Sequence, residues 1–567
     1  MKKPKYSLGL DFGTNSVRAL MAGVDDGREV ATAVHDYESG HSGILLDPAD
    51  PNLARQNPAD YLNGLGAVVK AVISGARKAE KDFDPGNVIG IGVDTTGSTP
   101  LPVDRRGVPL AMKKEFKKNL NAQAWLWKDH TAFAEAGMIT ELAGRDHPEY
   151  LAKCGGTYSS EWFFSKIWHC LNVDPRVFDA AWSWVECCDY IPAALTGAAA
   201  PESIKRSRCA AGHKAMFSRA WGGLPAEDFL NRLHPKLGDL RRRLYAESFP
   251  SDVTAGGLTA GWARRLGLPA GIPVAVGAFD AHMGAVGAGV APGRLVKIIG
   301  TSSCDITAWP NEIDLPDIPG LCGIVDGSVL PGFWGLEAGQ SAVGDIFNWF
   351  VSYIRPGGAS RGTHEALTRK AMRLRPGASG LIALDWNNGN RTVLVDQRLT
   401  GLLLGQTLHT TPEEIYRALV EATAFGGLAI INRFEEYGVR ISEVVGCGGI
   451  AEKNPFVMQV YADVLGREMK VARSTQTCAL GSAIAGSVAG GRERGGYEGF
   501  LEAQAAMCGL KKKTFKPNPS SRAVYGELYG LYSTLHEAFG AAKWTGSLFH
   551  VMKDLLAIRD RQRKGRR

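Results

Sequence analysis

Tyr6, Leu8 and Leu10 alternate with small or polar residues and predict a buried strand that ends on a carboxylate, Asp11, just before the turn Gly13-Thr14-Asn15. The segments VRALMAGV (17–24) and GREVATAVHDY (27–37) alternate in the same way across Asp25-Asp26-Gly27, so the chain opens with an antiparallel meander. Asn57-Pro58 supplies an N-cap and a proline at the first helical position, and Leu62, Leu65, Val69 and Val72 fall on one face of the helix that follows. VIGIGVD (88–94) is the next strand, and the small-residue loop TTGSTP comes after it.

The second half repeats this order. GRLVKIIGTSSCDITAW (293–309) reads as strand, Gly-Thr turn, strand. TPEEIYRALVEATAFGG (411–427) is a helix with a capping box from Thr411 to Glu414, and SEVVGCGGIAEKN (442–454) is a strand ending in a glycine loop. At 567 residues the chain is too long for one core. Two halves on one plan predict two similar α/β domains facing one cleft, spanning 1–291 and 292–567.

A tight Gly-Thr turn exposes successive backbone N–H groups, which make a nest for phosphate oxygens. Gly13-Thr14-Asn15 and Gly300-Thr301-Ser302 are placed to grip a nucleotide's phosphates from opposite walls. Asp11 alone reads as a turn aspartate bonding its own backbone, but beside a paired nest it favours holding Mg²⁺, directly or through water.

Composition narrows the class. Hydrophobic residues make up 45% and charged residues 22%, as in an ordinary globular protein. The formal charge of +7 suggests nucleic acid until it is located: the run RDRQRKGRR at 559–567 and the lysines at 2, 3 and 5 carry +8 and leave the body near −1. Nucleic acid is excluded, and the tail reads as a solvated, frayed end whose removal leaves activity within about threefold. Ten cysteines with no C-x-x-C pair fit reduced thiols rather than disulfides or zinc. Asp11 interrupts any signal-like apolar run, and no apolar stretch reaches ~18 residues. The expectation is a cytoplasmic protein with no membrane partner; a homodimer is left open.

LGLDFGTNSVRA (8–19), IIGTSSCD (298–305) and the long segment from Val444 to Gly486 resemble the two phosphate loops and the adenosine loop of sugar kinases in the actin-like ATPase superfamily, and more narrowly the FGGY carbohydrate kinases. GVDTTGSTP (92–100), WKDHTA (127–132), YSSEWFFSKIWH (158–169), RSRCAAGHK (206–214), GAFDAHMGAVGAG (277–289) and GLEAGQSAVGD (335–345) match the branch of that family that acts on L-ribulose. The resemblance covers nearly the whole chain to about residue 490. It implies two actin-like (ribonuclease H-like) domains around a cleft, with ATP and Mg²⁺ used to phosphorylate a ketopentose.

By resemblance Asp280 is the catalytic base, expected to be fully ionised with an ordinary carboxylate pKa of ~3.9. From local sequence alone it reads equally as an N-cap. Thr96, Gly97, Ser98, Trp127, Lys128, Asp129, Lys214, Asp280 and Glu337 are implied to read the sugar, and Gly448, Gly449 and Asn454 to border the adenosine. The 127–130 residues carry less of this weight than Lys214, Glu337 and Asp280; from local sequence the tryptophans read as core and His130 as a packing histidine. One departure is Asn390 and Val393 in NNGNRTVLVD (387–396), where many family members carry Glu and Pro. Competing readings are a family member for D-ribulose, D-xylulose, a pentitol or glycerol, and a noncatalytic actin-like ATPase. A dinucleotide dehydrogenase is disfavoured, since no G-x-G-x-x-G follows a strand.

Overall fold

A computed structural model of the chain describes residues 3–356 and 362–564; Lys2 and the last three residues of the basic tail lie outside the described residues. Strands β1 (Tyr6–Phe12), β2 (Ser16–Gly23) and β3 (Glu29–Asp36) form the expected meander, antiparallel from Tyr6↔Gly23 to Phe12↔Val17 and onward into β3. Helix α1 (Pro58–Ala79) starts where Asn57 Oδ1 accepts the Ala59 N–H at 3.0 Å, and buries Leu65, Val69 and Val72. Strand β4 (Val88–Thr95) runs parallel to β1 and sets Asp94 beside Asp11. β5 (Thr254–Gly257), β6 (Pro273–Ala275) and β7 (Ala278–Phe279) complete this sheet, with Ala278 next to Asp94.

The second sheet holds β8 (Arg294–Ile299), β9 (Ser303–Pro310), β10 (Gly323–Asp326), β11 (Phe333–Gln340), β12 (Glu443–Cys447) and β13 (Met469–Val471). β8 pairs antiparallel with β9 and β9 with β11, while β12 runs parallel to β8 and β13 to β12. The first sheet has the same pattern of a meander followed by two parallel strands, so the repeat read from the sequence exists at the level of strand pairing.

Helices α2 (Phe163–Val173) and α3 (Arg208–Lys214), inserted between strands β4 and β5 of the first sheet, belong to a separate apolar core around Trp125, Trp168 and Trp184. Helix α4 (Asp280–Gly287) leaves the first sheet. Helix α5 (Pro412–Glu436) has the predicted capping box, and α6 (Pro455–Leu465) follows the glycine loop. Helix α7 (Thr477–Gly490) lies late in the chain yet packs on the first sheet. Only glycine permits that approach. A Cβ built on Gly9 falls 1.8 Å from the Ala479 carbonyl oxygen, and one on Gly92 falls 1.8 Å from that of Ser482. Helix α7 meets α4 in the same way, since a Cβ on Gly481 falls 1.8 Å from the Met283 oxygen.

After α8 (Pro519–Gly540), the C-terminal helix α9 (Val551–Lys564) corrects the reading of the tail. Val551, Leu555 and Ile558 are buried, Arg561 pairs with Glu527, and Arg563 donates to Ala378 O at 2.8 Å and to Glu414 at 2.9 Å. Through Lys564 the basic residues are helical and docked, because buried apolar residues one turn earlier anchor them. All ten cysteines are free. Among the described residues no helix is long and apolar enough to cross a membrane.

The glycine contacts give a stability test. Gly92→Ala is expected to cost about 1–3 kcal/mol through overpacking against backbone that cannot retreat. Gly526→Ala, where nothing lies within 4 Å of the new methyl, should be neutral or slightly stabilising. Denaturant melts of both variants check this, and equal stabilities would contradict the packing argument.

Candidate active site

Three carboxylates meet where β1, β4 and β7 end: Asp11, Asp94 and Asp280. Asp11 is 4% exposed, with Arg18 Nη1 3.4 Å from its Oδ2. Burial pushes its pKa up and Arg18 opposes. Asp94 is fully buried; its Oδ2 accepts the Ser482 hydroxyl at 2.6 Å, while Oδ1 has no partner. Burial pushes Asp94 well up and the charge of Asp11 adds to it. Asp280 is the first residue of α4, after Phe279 at the N-cap, and accepts the Ala281 N–H at 2.7 Å. The N-cap alternative therefore falls away. Burial, reinforced by the charge of Asp11, lifts Asp280 to about 7, so it is not the fully ionised aspartate that the sequence led us to expect.

Asp280 opens into a cavity of about 280 Å³ that Gly97, Ser98, Trp127, Lys214 and Glu337 also line. Lys214 Nζ sits 3.4 Å from both Glu337 oxygens, although the two residues are far apart in sequence. Burial pushes Glu337 up, but Lys214 and His213 outweigh it and hold the carboxylate well below its usual range. Ser98 donates to Glu186 at 2.8 Å, and Trp127 donates its indole N–H to Thr14 at 3.0 Å. Thr96 is buried behind this wall; its N–H reaches Phe12 O at 3.0 Å and its hydroxyl reaches Thr99 at 2.9 Å.

Two further expected sugar contacts, besides Thr96, do not reach the cavity. Asp129 is fully buried and its oxygens are committed to Arg55, to the Ala54 N–H at 2.8 Å and to the Thr131 hydroxyl at 2.6 Å. Lys128 does not line this cavity. His130, read as a packing residue, is instead half exposed, with Ser160 at 3.4 Å.

Sequence reasoning missed Lys166 and Arg391. Lys166 is fully buried in α2 and donates to the carbonyls of Ser98 at 2.8 Å, Leu126 at 2.9 Å and Trp125 at 3.3 Å, tying together the two loops of the cavity wall. A lone lysine within FFSKIWH is the signal that could have found it, since a charge at helical spacing among apolar residues must be satisfied. Arg391 lines the cavity from the 387–396 loop that departs from the family pattern.

Gly300 and Thr301 line both this cavity and a second one of about 720 Å³, which Gly449, Asn454, Tyr416 and Phe347 also border. Gly448 has φ 91°, and a Cβ there would fall 2.7 Å from Ile299 O, so the loop passes close to β8 only as glycine. Asn454 spends its Oδ1 on the Val457 N–H at 3.2 Å, starting α6. The first turn is closed by Gly13 N–H to Ser16 O at 2.9 Å, with Gln56 donating to Thr14 O at 2.7 Å; Asn15 donates to Ser42 O at 2.7 Å. In the second turn Gly300 N–H meets Ser302 O at 3.0 Å. Two cavities that share one backbone turn, with a carboxylate of raised pKa in the smaller, suit transfer of a group between two bound molecules. The unpartnered Asp94 Oδ1 beside Asp11 is an oxygen-rich setting that fits a hard divalent cation.

Comparison with known proteins agrees with this arrangement. Residues 6–287 match the N-terminal domain, and residues 295–490 the C-terminal domain, of the FGGY family of carbohydrate kinases. The chain is 42% identical over 549 residues to a ribulokinase of Geobacillus thermodenitrificans, covering 94% of this chain and 95% of that one. It is 42% identical over 581 residues to a ribulokinase of Halalkalibacterium halodurans, covering 99% and 98%. The crystal structure of a xylulose kinase from Rhodospirillum rubrum superposes with a TM-score of 0.76 at 25% identity, covering 94% and 100% of the two chains.

Asp280 is expected to titrate with a midpoint near pH 7, neutral below and charged above. Asp11→Asn removes a neighbouring negative charge and should lower that midpoint. Side-chain carboxyl chemical shifts in ¹³C-aspartate-labelled protein, assigned with Asp280→Asn, report it. A midpoint below about 5 in the unsubstituted protein would refute the burial argument.

Proposed function

Because the chain belongs to the FGGY family of carbohydrate kinases, we propose that it transfers the γ-phosphoryl group of ATP to a ketopentose, L-ribulose, giving L-ribulose 5-phosphate. The chain is a sugar phosphotransferase of mixed α/β fold. The observation that supports the substrate reading is the convergence of Asp280, Lys214 and Glu337 on one small polar cavity that meets the nucleotide side at Thr301, in a chain 42% identical to ribulokinases.

In this reading the domains are 1–291 and 292–567. The Gly13-Thr14-Asn15 and Gly300-Thr301-Ser302 turns hold the phosphates, and Gly448, Gly449 and Asn454 border the adenosine. Mg²⁺, held by Asp11 with Asp94 behind it, would supply neutralising charge to the phosphates. Ser98, Trp127, Lys214 and Glu337 orient the sugar so that its terminal hydroxyl faces the γ-phosphate. Asp280 takes that hydroxyl's proton as the oxygen forms its bond to phosphorus, and the bond to the bridging oxygen breaks to release ADP. A base with a pKa of about 7 suits the task, because enough of it is ionised at neutral pH while it remains basic enough to accept the proton. Free thiols throughout fit a cytoplasmic setting.

A coupled ADP-release assay across pentuloses, pentitols and glycerol should give L-ribulose among the best substrates. Markedly better turnover of glycerol or D-xylulose would remove the substrate assignment and leave the family membership intact. Asp280→Asn keeps the shape and loses the base, so turnover should fall at least about a hundredfold with ATP affinity nearly unchanged. Near-normal turnover would remove Asp280 from the role of base.

A further inference from the structure

The mechanism uses Glu337 on the cavity wall; against it lie two buried histidines, His213 and His282, the second of which also lines the cavity, that the mechanism leaves unused. His213, immediately before Lys214 at the end of α3, places Nδ1 3.2 Å from Glu337 Oε2. Its Nε2 lies 3.0 Å from Ser328 Oγ and 3.2 Å from Nε2 of His282, and His282 Nε2 is 3.6 Å from the same Glu337 oxygen. His213 has no exposed side-chain surface and His282 has 3%. The fold makes room for the ring at a cost in sequence freedom: Gly323 pairs with Glu337 across β10 and β11, and a Cβ there would fall 2.0 Å from His213 Nδ1.

We propose that His213, backed by His282, is a positioning residue that locks the Glu337 carboxylate in one orientation and thereby sets which ketopentose epimer the cavity accepts. The inference rests on the sugar-reading role given to Glu337 above. Lys214 lies 3.4 Å from both oxygens of that carboxylate and His213 lies 3.2 Å from Oε2, so the oxygen lone pairs left for the substrate point in a fixed direction. Assigning the His213 proton to Nδ1, toward Glu337, leaves the one Nε2 lone pair to accept from His282, while Ser328, whose hydroxyl donates to Val325 O at 3.1 Å, packs against the same ring edge. Burial drives both imidazoles toward their neutral forms, which that chain of donors requires. A carboxylate fixed in this way rejects a sugar whose hydroxyl points elsewhere, because its buried lone pairs then go unpaired.

The Nδ1 or Nε2 atoms of the two histidines and a Glu337 oxygen also lie within 4.8 Å of one another, close enough to hold a metal ion. Lys214 argues against one, since its ammonium stands 3.4 Å from the same carboxylate and would face the cation directly.

The test compares wild type with His213→Leu, His213→Asn and Ser328→Ala on the panel of ketopentose epimers. Asparagine retains an N–H near the position of Nδ1, whereas leucine removes it. His213→Leu should raise KM for the preferred sugar about tenfold and cut its preference over the next epimer by a similar factor, as expected for a lost close polar contact with a charged group. KM for ATP should stay within about twofold, His213→Asn should recover most of the preference, and Ser328→Ala should shift it in the same direction by less. The wild-type panel alone decides the L-ribulose reading, while the ratio of variant to wild type decides this one on whichever sugar the wild type prefers. Unchanged epimer preference in His213→Leu would overturn the proposal; if that variant fails to fold, unchanged preference in Ser328→Ala would. Stoichiometric zinc in the purified protein, lost in the His213 variants, would overturn it in favour of a metal site.

Discussion

Placing carboxylates at the buried ends of strands is the constraint on which this structure depends. Water no longer solvates Asp11 and Asp94 and reaches Asp280 only from the cavity, so their charges repel and their proton affinities rise. The protein answers with a few polar contacts: Arg18 beside Asp11, the Ser482 hydroxyl on Asp94 and the Ala281 N–H on Asp280. These contacts leave one oxygen of Asp94 without a protein partner, an oxygen-rich setting whose chemistry fits a hard cation.

The rest of the architecture keeps that cluster in place and aims it. Ser482 reaches Asp94 only because α7 lies against β4 at glycine distance, which brings a segment late in the sequence onto the first sheet. Asp280 faces the second Gly-Thr turn because α4 packs between α7 and β8. Lys166 fixes the sugar-side loops from beneath, satisfying a buried ammonium with three carbonyls. Burial lowers Lys166 to about 8, and the Asp129 and Glu186 carboxylates nearby counter that shift. The fold thus uses charged groups twice, some to line the cavity and others to hold the loops that form it.

Periodicity and turn chemistry made the sheets legible. The alternation at Tyr6, Leu8 and Leu10, the Asn57 cap and the Thr411–Glu414 box each reappear as drawn, because local hydrogen bonds and burial decide them. The Lys214–Glu337 pair was visible as two charges in apolar surroundings, but not as partners, since β11 and α3 are distant in sequence. Asp129 was misread because its motif gives no sign that Arg55 claims it. Lys166 was missed because its three carbonyl partners come from distant loops, and Arg391 because nothing local shows that its loop borders the cavity. The tail misled because its charge hid the apolar residues Val551, Leu555 and Ile558 that dock it.

The central claim is that the sugar's terminal hydroxyl lies between Asp280 and the γ-phosphate in one continuous cleft. A crystal structure with L-ribulose, Mg²⁺ and a nonhydrolysable ATP analogue tests it most directly. The account predicts that hydroxyl within about 2.6–3.2 Å of an Asp280 oxygen, with its oxygen in line with the γ-phosphorus, and the Glu337 carboxylate on a different hydroxyl. A terminal hydroxyl turned away from Asp280, or placed against Glu337 while the phosphate lies elsewhere, would contradict it.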